Sequence, residues 1–182
     1  EWKNAMQMMS IPMFGTGYAD KEGNILYLYN AKLPIRTEGY DWQGVLPGNL
    51  SKLVWTEYLP YKELPQVLNP SSGFIQNCNN TPFITTTGDN NPKKQNYSKT
   101  FGIESRISNR ALRSLELFSQ DHSISASEFK KYKYDMRYSD ESYMSQFVNR
   151  IISLSNSFED DQLMAGVEIL KLWDKNTDYE NK

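Results

Sequence analysis

Apolar and polar residues alternate in two different ways along this chain, which divides it into a strand-rich part and a helical part. After a predicted helix over residues 1 to about 9, two short runs, 14–18 and 24–29, flank the polar turn 20–23. Gly23, at the fourth place of that turn, suits the positive φ of a hairpin loop, so the two runs are predicted to pair antiparallel. Nearly every position of the second run is apolar or aromatic, which indicates an interior strand with both faces covered.

Turn-forming residues then mark the connections. Five prolines between residues 34 and 70 predict a long irregular crossing, and the polar stretch 85–96 predicts a loop. The chain therefore divides into a strand-rich part (1–84), a linker (85–107) and a helical part (108–182). With 182 residues it has the size of one domain, and we expect a single segment with one core.

Four apolar stripes at helical spacing predict the helices of the second part. Ser108 is a plausible N-cap for the first helix, and Ser125 to Glu128 has the spacing of a capping box for the next. The acidic run 159–161 suits the N-terminus of the last helix better than it suits a pair of acid/base carboxylates. We expect all four stripes to be core: Ala111, Leu112, Leu115 and Phe118; Phe129, Tyr132 and Met136; Tyr143, Phe147, Ile151 and Leu154; Leu163, Val167, Leu170 and Trp173.

The stretch 72–80, Ser-Gly-Phe-Ile-Gln-Asn-Cys-Asn-Asn, is the part of the sequence that points to chemistry. Asn69-Pro70 precedes it and Thr81-Pro82 follows it, so it predicts a short buried strand that delivers several carboxamides to one place. A carboxamide NH₂ held at a strand end is a suitable donor to the negative oxygen that develops during acyl transfer. The alternative is that these asparagines satisfy loop backbone, since asparagine-rich turns are common.

Composition excludes several classes of function. A net charge of −2 and a pI near 5.5 provide no basic field for nucleic acid. No stretch approaches the roughly 18 apolar residues of a membrane span. Cys78 is the single cysteine, so an internal disulfide and a thiolate metal cluster are excluded. His122, the single histidine, lies in a polar run that predicts a surface turn, so a catalytic Cys-His pair is disfavoured.

Several short blocks precede the asparagine-rich stretch in a fixed order. They are Gly17-Tyr18-Ala19-Asp20, Gly23-Asn24-Ile25-Leu26-Tyr27, Leu33-Pro34-Ile35-Arg36, Leu46-Pro47-Gly48, Trp55, Tyr58-Leu59-Pro60, Glu63-Leu64-Pro65 and Asn69-Pro70-Ser71-Ser72-Gly73. In this order they resemble the penicillin acylase family, including its acyl-homoserine lactone acylase branch. The resemblance runs from about residue 2 to the end of the chain and is dense over residues 17–82.

The resemblance implies a fold, a mechanism and roles for named residues. The fold class is α+β, as a portion of the four-layer αββα sandwich of N-terminal nucleophile hydrolases. Asn79 matches the family's oxyanion asparagine, and the family's orienting arginine falls on Arg110, with Arg106 as the alternative one turn earlier. Cys78 matches a position that lines the wall of the acyl pocket. No residue of this chain matches the nucleophile, a Ser, Cys or Thr whose own α-amine acts as its base.

The same resemblance implies partners and a location. This chain is expected to be an internal portion of the β chain, inactive by itself, that works with the α chain and the N-terminal part of the β chain. The substrates would be small N-acyl compounds, either β-lactams with an acyl side chain or acyl-homoserine lactones. A catalytically inactive scaffold that binds acylated ligands is the alternative. Family members are periplasmic or extracellular. Some bind calcium, but Asp89 and Asn90 match that position imperfectly and no metal or other cofactor is predicted.

Overall fold

The computed structural model describes residues 1–157 and 159–179, and the chain forms two compact units rather than the single core expected from its length. The first unit ends at Arg106 and the second begins at Ile107. Strands occur in the first unit and most helices in the second, as the sequence pattern predicts.

The first unit is built around a three-stranded antiparallel sheet. Helix α1 (Trp2–Gln7) is followed by strands β1 (Met13–Ala19), β2 (Ile25–Ala31) and β3 (Gln66–Leu68), in the sheet order β1-β2-β3. The predicted hairpin is confirmed, with Gly17 opposite Tyr27. Strand β3 corrects the prediction of an irregular crossing throughout that region, because it pairs with β2 through Leu26 and Leu68.

Asp20 organises the turn of the hairpin. Its carboxylate accepts hydrogen bonds from the backbone N–H of Asn24 at 2.8 Å and from the side-chain amide of Asn24 at 2.9 Å. These donors hold the pKa of Asp20 below its usual range, the side-chain amide contributing most. Gly23 has φ +86°, in the left-handed region that glycine adopts without strain. The turn chemistry of the sequence therefore forms as predicted.

Strand β2 is the centre of the first core. Tyr27 and Leu28 are almost fully buried, at 1% and 0% exposure, so the prediction of an interior strand is confirmed. Apolar residues from the crossing and from β3 complete the cluster, and Trp2 and Met6 of α1 pack against it. The buried members are Leu26, Tyr27, Leu28, Tyr29, Ala31, Leu33, Leu59, Leu64 and Val67.

Residues 72–80 form turns and irregular backbone in place of the predicted strand. The backbone cannot stay extended because Asn79 has φ +54°.

The predicted loop over 85–96 is irregular, with Thr85 and Thr86 buried within it. Short 3₁₀ turns occur at Ser51–Leu53, Tyr61–Glu63, Pro82–Ile84, Gly88–Asn90, Lys94–Asn96, Lys99–Phe101 and Ser155–Ser157.

The second unit contains helices α2 (Asn109–Gln120), α3 (Ala126–Lys133), α4 (Tyr143–Leu154) and α5 (Asp161–Leu172). The predicted helix starts are confirmed. The Ser108 hydroxyl accepts from the N–H of Ala111 at 3.2 Å, and Ser125 with Glu128 forms a complete capping box. The Asp160 carboxylate caps α5 through the first N–H groups of that helix.

The apolar stripes of these helices are only partly core, which corrects the prediction. Ala111 and Val167 are buried, but α4 buries its serine side and Val148 instead of its aromatic side. The Ser145 hydroxyl donates to the Ser139 carbonyl at 2.7 Å, so hydrogen bonds hold that side inward. Apolar members of the predicted stripes that are exposed in this chain are Phe129, Met136, Tyr143, Phe147, Leu154 and Leu163. In the part of the chain that the structure describes, no helix is long and apolar enough to cross a bilayer.

Candidate functional site

Residues 76–81 form a loop, here called the Asn loop, that two backbone hydrogen bonds anchor to the first unit. The N–H of Gln76 donates to the Thr85 carbonyl at 2.7 Å, and the N–H of Thr81 donates to the Arg106 carbonyl at 2.8 Å. Proline follows at residue 82, where it opens a 3₁₀ turn and provides no N–H donor. Both ends of the Asn loop are therefore fixed.

Two buried carboxamides hold the interior of the Asn loop. The side-chain oxygens of Gln76 and Asn80 both accept from the N–H of Cys78, at 3.0 and 2.9 Å. The side-chain NH₂ of Gln76 donates to the Ile84 carbonyl at 2.7 Å, and that of Asn80 donates to its neighbour's carbonyl at the same distance. For these two residues the alternative interpretation of the sequence holds, because their amides satisfy backbone groups.

Asn79 lies between these fixed points and differs from Gln76 and Asn80 in its exposure and in its backbone conformation. Its side chain is exposed in this chain, and its φ of +54° places it in the left-handed region. Asparagine is one of the few L residues that adopts this conformation readily. The sequence therefore combines a local backbone turn and a carboxamide donor in one residue, at a place where the backbone on both sides is held.

A cleft of about 410 Å³ lies beside Asn79. It is lined by Met13, Phe14, Gly15, Tyr27, Tyr29, Asn77, Asn79, Asn80 and Glu104. Burial raises the pKa of both tyrosines, so their phenols are neutral at pH 7, and the Tyr29 hydroxyl accepts from the N–H of Glu104 at 3.3 Å. The cleft thus joins apolar surface and neutral polar groups with the Glu104 side chain, and its described lining includes no cationic side chain, so it suits an uncharged amide better than a phosphate.

The structure places the two candidate arginines differently. Arg106 belongs to the same unit as the Asn loop and bonds to it through its carbonyl, while its N–H donates to the Glu104 carboxylate at 2.6 Å. Arg110 belongs to the second unit, where it is the second residue of α2 and exposed. The contact of Arg106 with the Asn loop is made by its backbone carbonyl, so it does not depend on the arginine side chain.

Cys78, Asp89 and Asn90 are not among the described residues that line the cleft beside Asn79. Cys78 is half-buried rather than enclosed. Asp89 is exposed and pairs with Lys93 at 3.2 Å, and the Asn90 side-chain oxygen accepts from Ser71. Among residues 1–157 and 159–179, no cluster of three or more His, Cys, Asp or Glu side chains has the arrangement of a metal site.

The cleft residues on β1 and β2 were missed by sequence reasoning. Gly15, Tyr27 and Tyr29 belong to the predicted hairpin, about 50 or more positions before the Asn loop, so no local motif connects them with it. A glycine inside a strand was the available signal, because it often marks a close approach of another backbone or side chain.

Comparison with known proteins agrees with this fold. Most of the chain superposes on a solved structure, a thermostable penicillin G acylase from Alcaligenes faecalis, with a TM-score of 0.69 and 23% identity. That match covers 99% of this chain and 31% of the solved one, and it shows that the two share an α+β fold.

The sequence comparisons identify the family. The penicillin amidase family model matches residues 1–182, so the chain belongs to the penicillin amidase family. It is similar to the penicillin G acylase of Escherichia coli, with 39% identity over 84 residues, which are 45% of this chain and 10% of that relative. The chain therefore spans only a minor part of the length of the relatives it matches.

Proposed function

We propose that this chain is part of an acylase that hydrolyses the amide bond of small N-acyl compounds, and that Asn79 donates a hydrogen bond to the oxyanion. The observation that carries the proposal is the geometry of Asn79, which turns the backbone at φ +54° within a loop fixed on both sides and beside a cleft. Family membership supports the amidohydrolase class.

The reaction needs a nucleophile from outside this chain. A Ser, Cys or Thr at the start of the mature β chain attacks the substrate carbonyl carbon, and its own α-amine takes the proton of the hydroxyl or thiol. The carbonyl oxygen becomes negative and is held by the Asn79 side-chain NH₂ and by a backbone N–H elsewhere in the enzyme. The C–N bond breaks as the leaving amine takes the proton, and water then releases the acyl group as a carboxylic acid.

Substitution of Asn79 in the complete protein tests this role. Asn79→Gly removes the donor without strain at a positive φ, whereas Asn79→Ala removes the donor and adds about 1 kcal/mol of backbone strain. Both variants should lose about 100- to 1,000-fold in kcat, which is about 3 to 4 kcal/mol of transition-state stabilisation. Asn96→Ala, in an exposed 3₁₀ turn, is the matched control and should keep normal turnover. Near-normal kcat in Asn79→Gly would contradict the assignment.

We propose Arg110 for the orienting role, with Arg106 as the competing candidate. Arg110 is the second residue of α2, and it is the position that matches the arginine of the family. Arg106 contacts the Asn loop through its backbone carbonyl, a contact that alanine substitution preserves. Arg110→Ala should lower kcat by at least tenfold, while Arg106→Ala should change it by less than about twofold. The reverse result would move the role to Arg106.

Maturation distinguishes an active acylase from an inactive scaffold. The complete gene product should yield two chains in intact-mass measurement, the larger beginning with Ser, Cys or Thr. A single uncut chain without amidase activity would instead support a scaffold that binds acylated ligands.

The family supports the substrate class, and so does the cleft, whose described lining includes no cationic side chain. We propose β-lactams with an acyl side chain or acyl-homoserine lactones as substrates, with Cys78 contributing to a wall of the acyl pocket, and a periplasmic or extracellular location. Turnover of a panel of N-acyl compounds that differ in acyl length and in leaving amine tests the choice. A Cys78→Phe variant should shift the preferred acyl length while leaving turnover of the shortest acyl group intact.

A further inference from the structure

Asn77 connects the Asn loop with strand β1 across the cleft. Its side-chain NH₂ donates to the Gly15 carbonyl at 2.7 Å, although the two residues are 62 positions apart in sequence. Strand β1 is an edge of the described sheet, with β2 as its partner, so its outer backbone groups are open to a loop. Asn77 uses one of these groups, and both residues line the cleft beside Asn79.

Gly15 is suited to this contact because it has no side chain. A Cβ atom at this position would lie 2.7 Å from the Asn77 side-chain nitrogen and 3.0 Å from the Tyr27 hydroxyl. Real Cβ atoms essentially never approach that closely, so any other residue would push Asn77 away or displace the buried Tyr27. The Gly15 and Asn77 side of the cleft is therefore a close-packed contact that depends on both residue types.

The contact lies two residues before Asn79, on the side of the loop opposite to the anchors of Asn80 and Thr81. The C-terminal side is held by the Asn80 side chain and by the bond from Thr81 to the Arg106 carbonyl. Residue 77 itself is exposed, so no core packing would hold it in place of this bond. Gln76 anchors the start of the loop to Thr85 and Ile84, and the bond from Asn77 to Gly15 adds a tie to strand β1 at the wall of the cleft.

We infer that Asn77 is a positioning residue, held by Gly15, that keeps Asn79 at the cleft in the geometry needed for oxyanion binding. This inference rests on the proposed function of Asn79 and adds to it a residue that does not touch the reacting atoms. Its effect passes through Asn79, so it should appear in kcat rather than in KM, and it should vanish when the Asn79 side chain is removed.

A double-mutant cycle in the complete processed enzyme tests this directly. Asn77→Ala should lower kcat by about three- to tenfold, the range of one neutral hydrogen bond, and leave KM within about twofold of normal. In the Asn79→Gly background, Asn77→Ala should cause no further loss. Asn90→Ala is the matched control, since Asn90 makes a similar side-chain contact with Ser71 away from the cleft, and it should leave kcat unchanged.

A second variant approaches the same contact from the opposite side. Gly15→Ala keeps Asn77 but displaces its side chain, and it should reproduce the fall in kcat and the same lack of effect in the Asn79→Gly background. It keeps the inference testable if Asn77→Ala does not fold. The inference is overturned if Asn77→Ala or Gly15→Ala turns over normally, or if either lowers kcat by the same factor with and without the Asn79 side chain. If Asn79→Gly itself turns over normally, the proposed function fails as well, so the two failures are distinguishable.

Discussion

Replacing Gln76 with glutamate would introduce a carboxylate at a buried position where the native side chain donates a hydrogen bond. The Gln76 side chain is 7% exposed, and its NH₂ donates to the Ile84 carbonyl at 2.7 Å while its oxygen accepts from the Cys78 N–H at 3.0 Å. A glutamate keeps the acceptor but, when ionised, presents a second oxygen to the Ile84 carbonyl. We therefore expect a loss of stability that depends on pH.

The expected magnitude follows from two limits. Loss of a hydrogen bond to a poorly solvated carbonyl costs about 1 to 3 kcal/mol. Protonation of the new glutamate restores the donor, but it costs free energy above the pKa of about 4.3 that a glutamate has in the unfolded chain. That cost is at most about 5 kcal/mol at pH 8 and about 1 kcal/mol at pH 5. The folded pKa of this glutamate is raised above the unfolded value, so the folded state binds the extra proton and its stability decreases as pH rises. We expect a loss of about 1 to 5 kcal/mol at pH 8 and about 1 kcal/mol or less at pH 5.

The thermal unfolding midpoint of the complete protein measures this at both pH values. Gln76→Ala removes the same hydrogen bonds without adding a titratable group, so its loss of stability should not change with pH. Gln95→Glu adds the same charge at an exposed position and should shift the midpoint little. A Gln76→Glu loss that is equal at pH 5 and pH 8, or no larger than that of Gln95→Glu, would refute the reasoning.

Three further predictions concern contacts away from the candidate site. Arg113→Ala should cost about 2 kcal/mol of folding stability at pH 7, because the guanidinium donates twice to Asp135, at 2.8 and 3.1 Å, in a mostly buried pair. Burial alone would raise the pKa of Asp135, but these hydrogen bonds hold that pKa below its usual range. The stabilisation is therefore complete above about pH 4 and is lost as pH falls through the folded pKa. Acid unfolding curves that stay parallel to those of the unmodified protein below pH 4 would contradict this. Ser125→Ala should cost about 1 kcal/mol of folding stability by removing the N-cap of α3, which urea unfolding followed by helical circular dichroism would measure. Ser125→Asp and Ser125→Thr keep a capping side chain and should leave the stability unchanged. Arg36→Lys should cost about 1 to 2 kcal/mol of folding stability, because the planar guanidinium lies 4.9 and 5.5 Å from the ring centres of Trp55 and Trp42 and donates to the Thr100 carbonyl at 2.7 Å. An unchanged thermal unfolding midpoint would show that the stacking contributes little.

Local chemistry explains where the sequence analysis succeeded. The hairpin of β1 and β2 and the starts of α2, α3 and α5 depend on short-range signals, namely a turn glycine, capping side chains and apolar periodicity. Residues 72–80 were wrongly predicted to form a strand because Phe74 and Ile75 favour a strand locally, whereas the carboxamides of Gln76 and Asn80 offer the backbone other hydrogen-bond partners. The sequence pattern alone does not show whether strand pairing or these side-chain carboxamides will satisfy the backbone.

The helical unit shows a second limit of the same kind. The aromatic stripe of α4 has helical spacing, which predicts an inward face, yet Tyr143 is 82% exposed and Ser145 is fully buried. Periodicity reports that one side of a helix is apolar, but it does not report which surface covers that side. In this chain the serine side forms the internal hydrogen bonds, and the aromatic side lies at the surface.

The sequence by itself determined the α+β class and the family, because ordered short motifs and residue types carry that information. Only the tertiary structure decided that Asn79 adopts φ +54°, that Arg106 rather than Arg110 shares a unit with the Asn loop, and that Gly15 and Asn77 meet beside the cleft. These features depend on contacts between residues as much as 62 positions apart, and such contacts form only when the sheet and the loop fold onto each other.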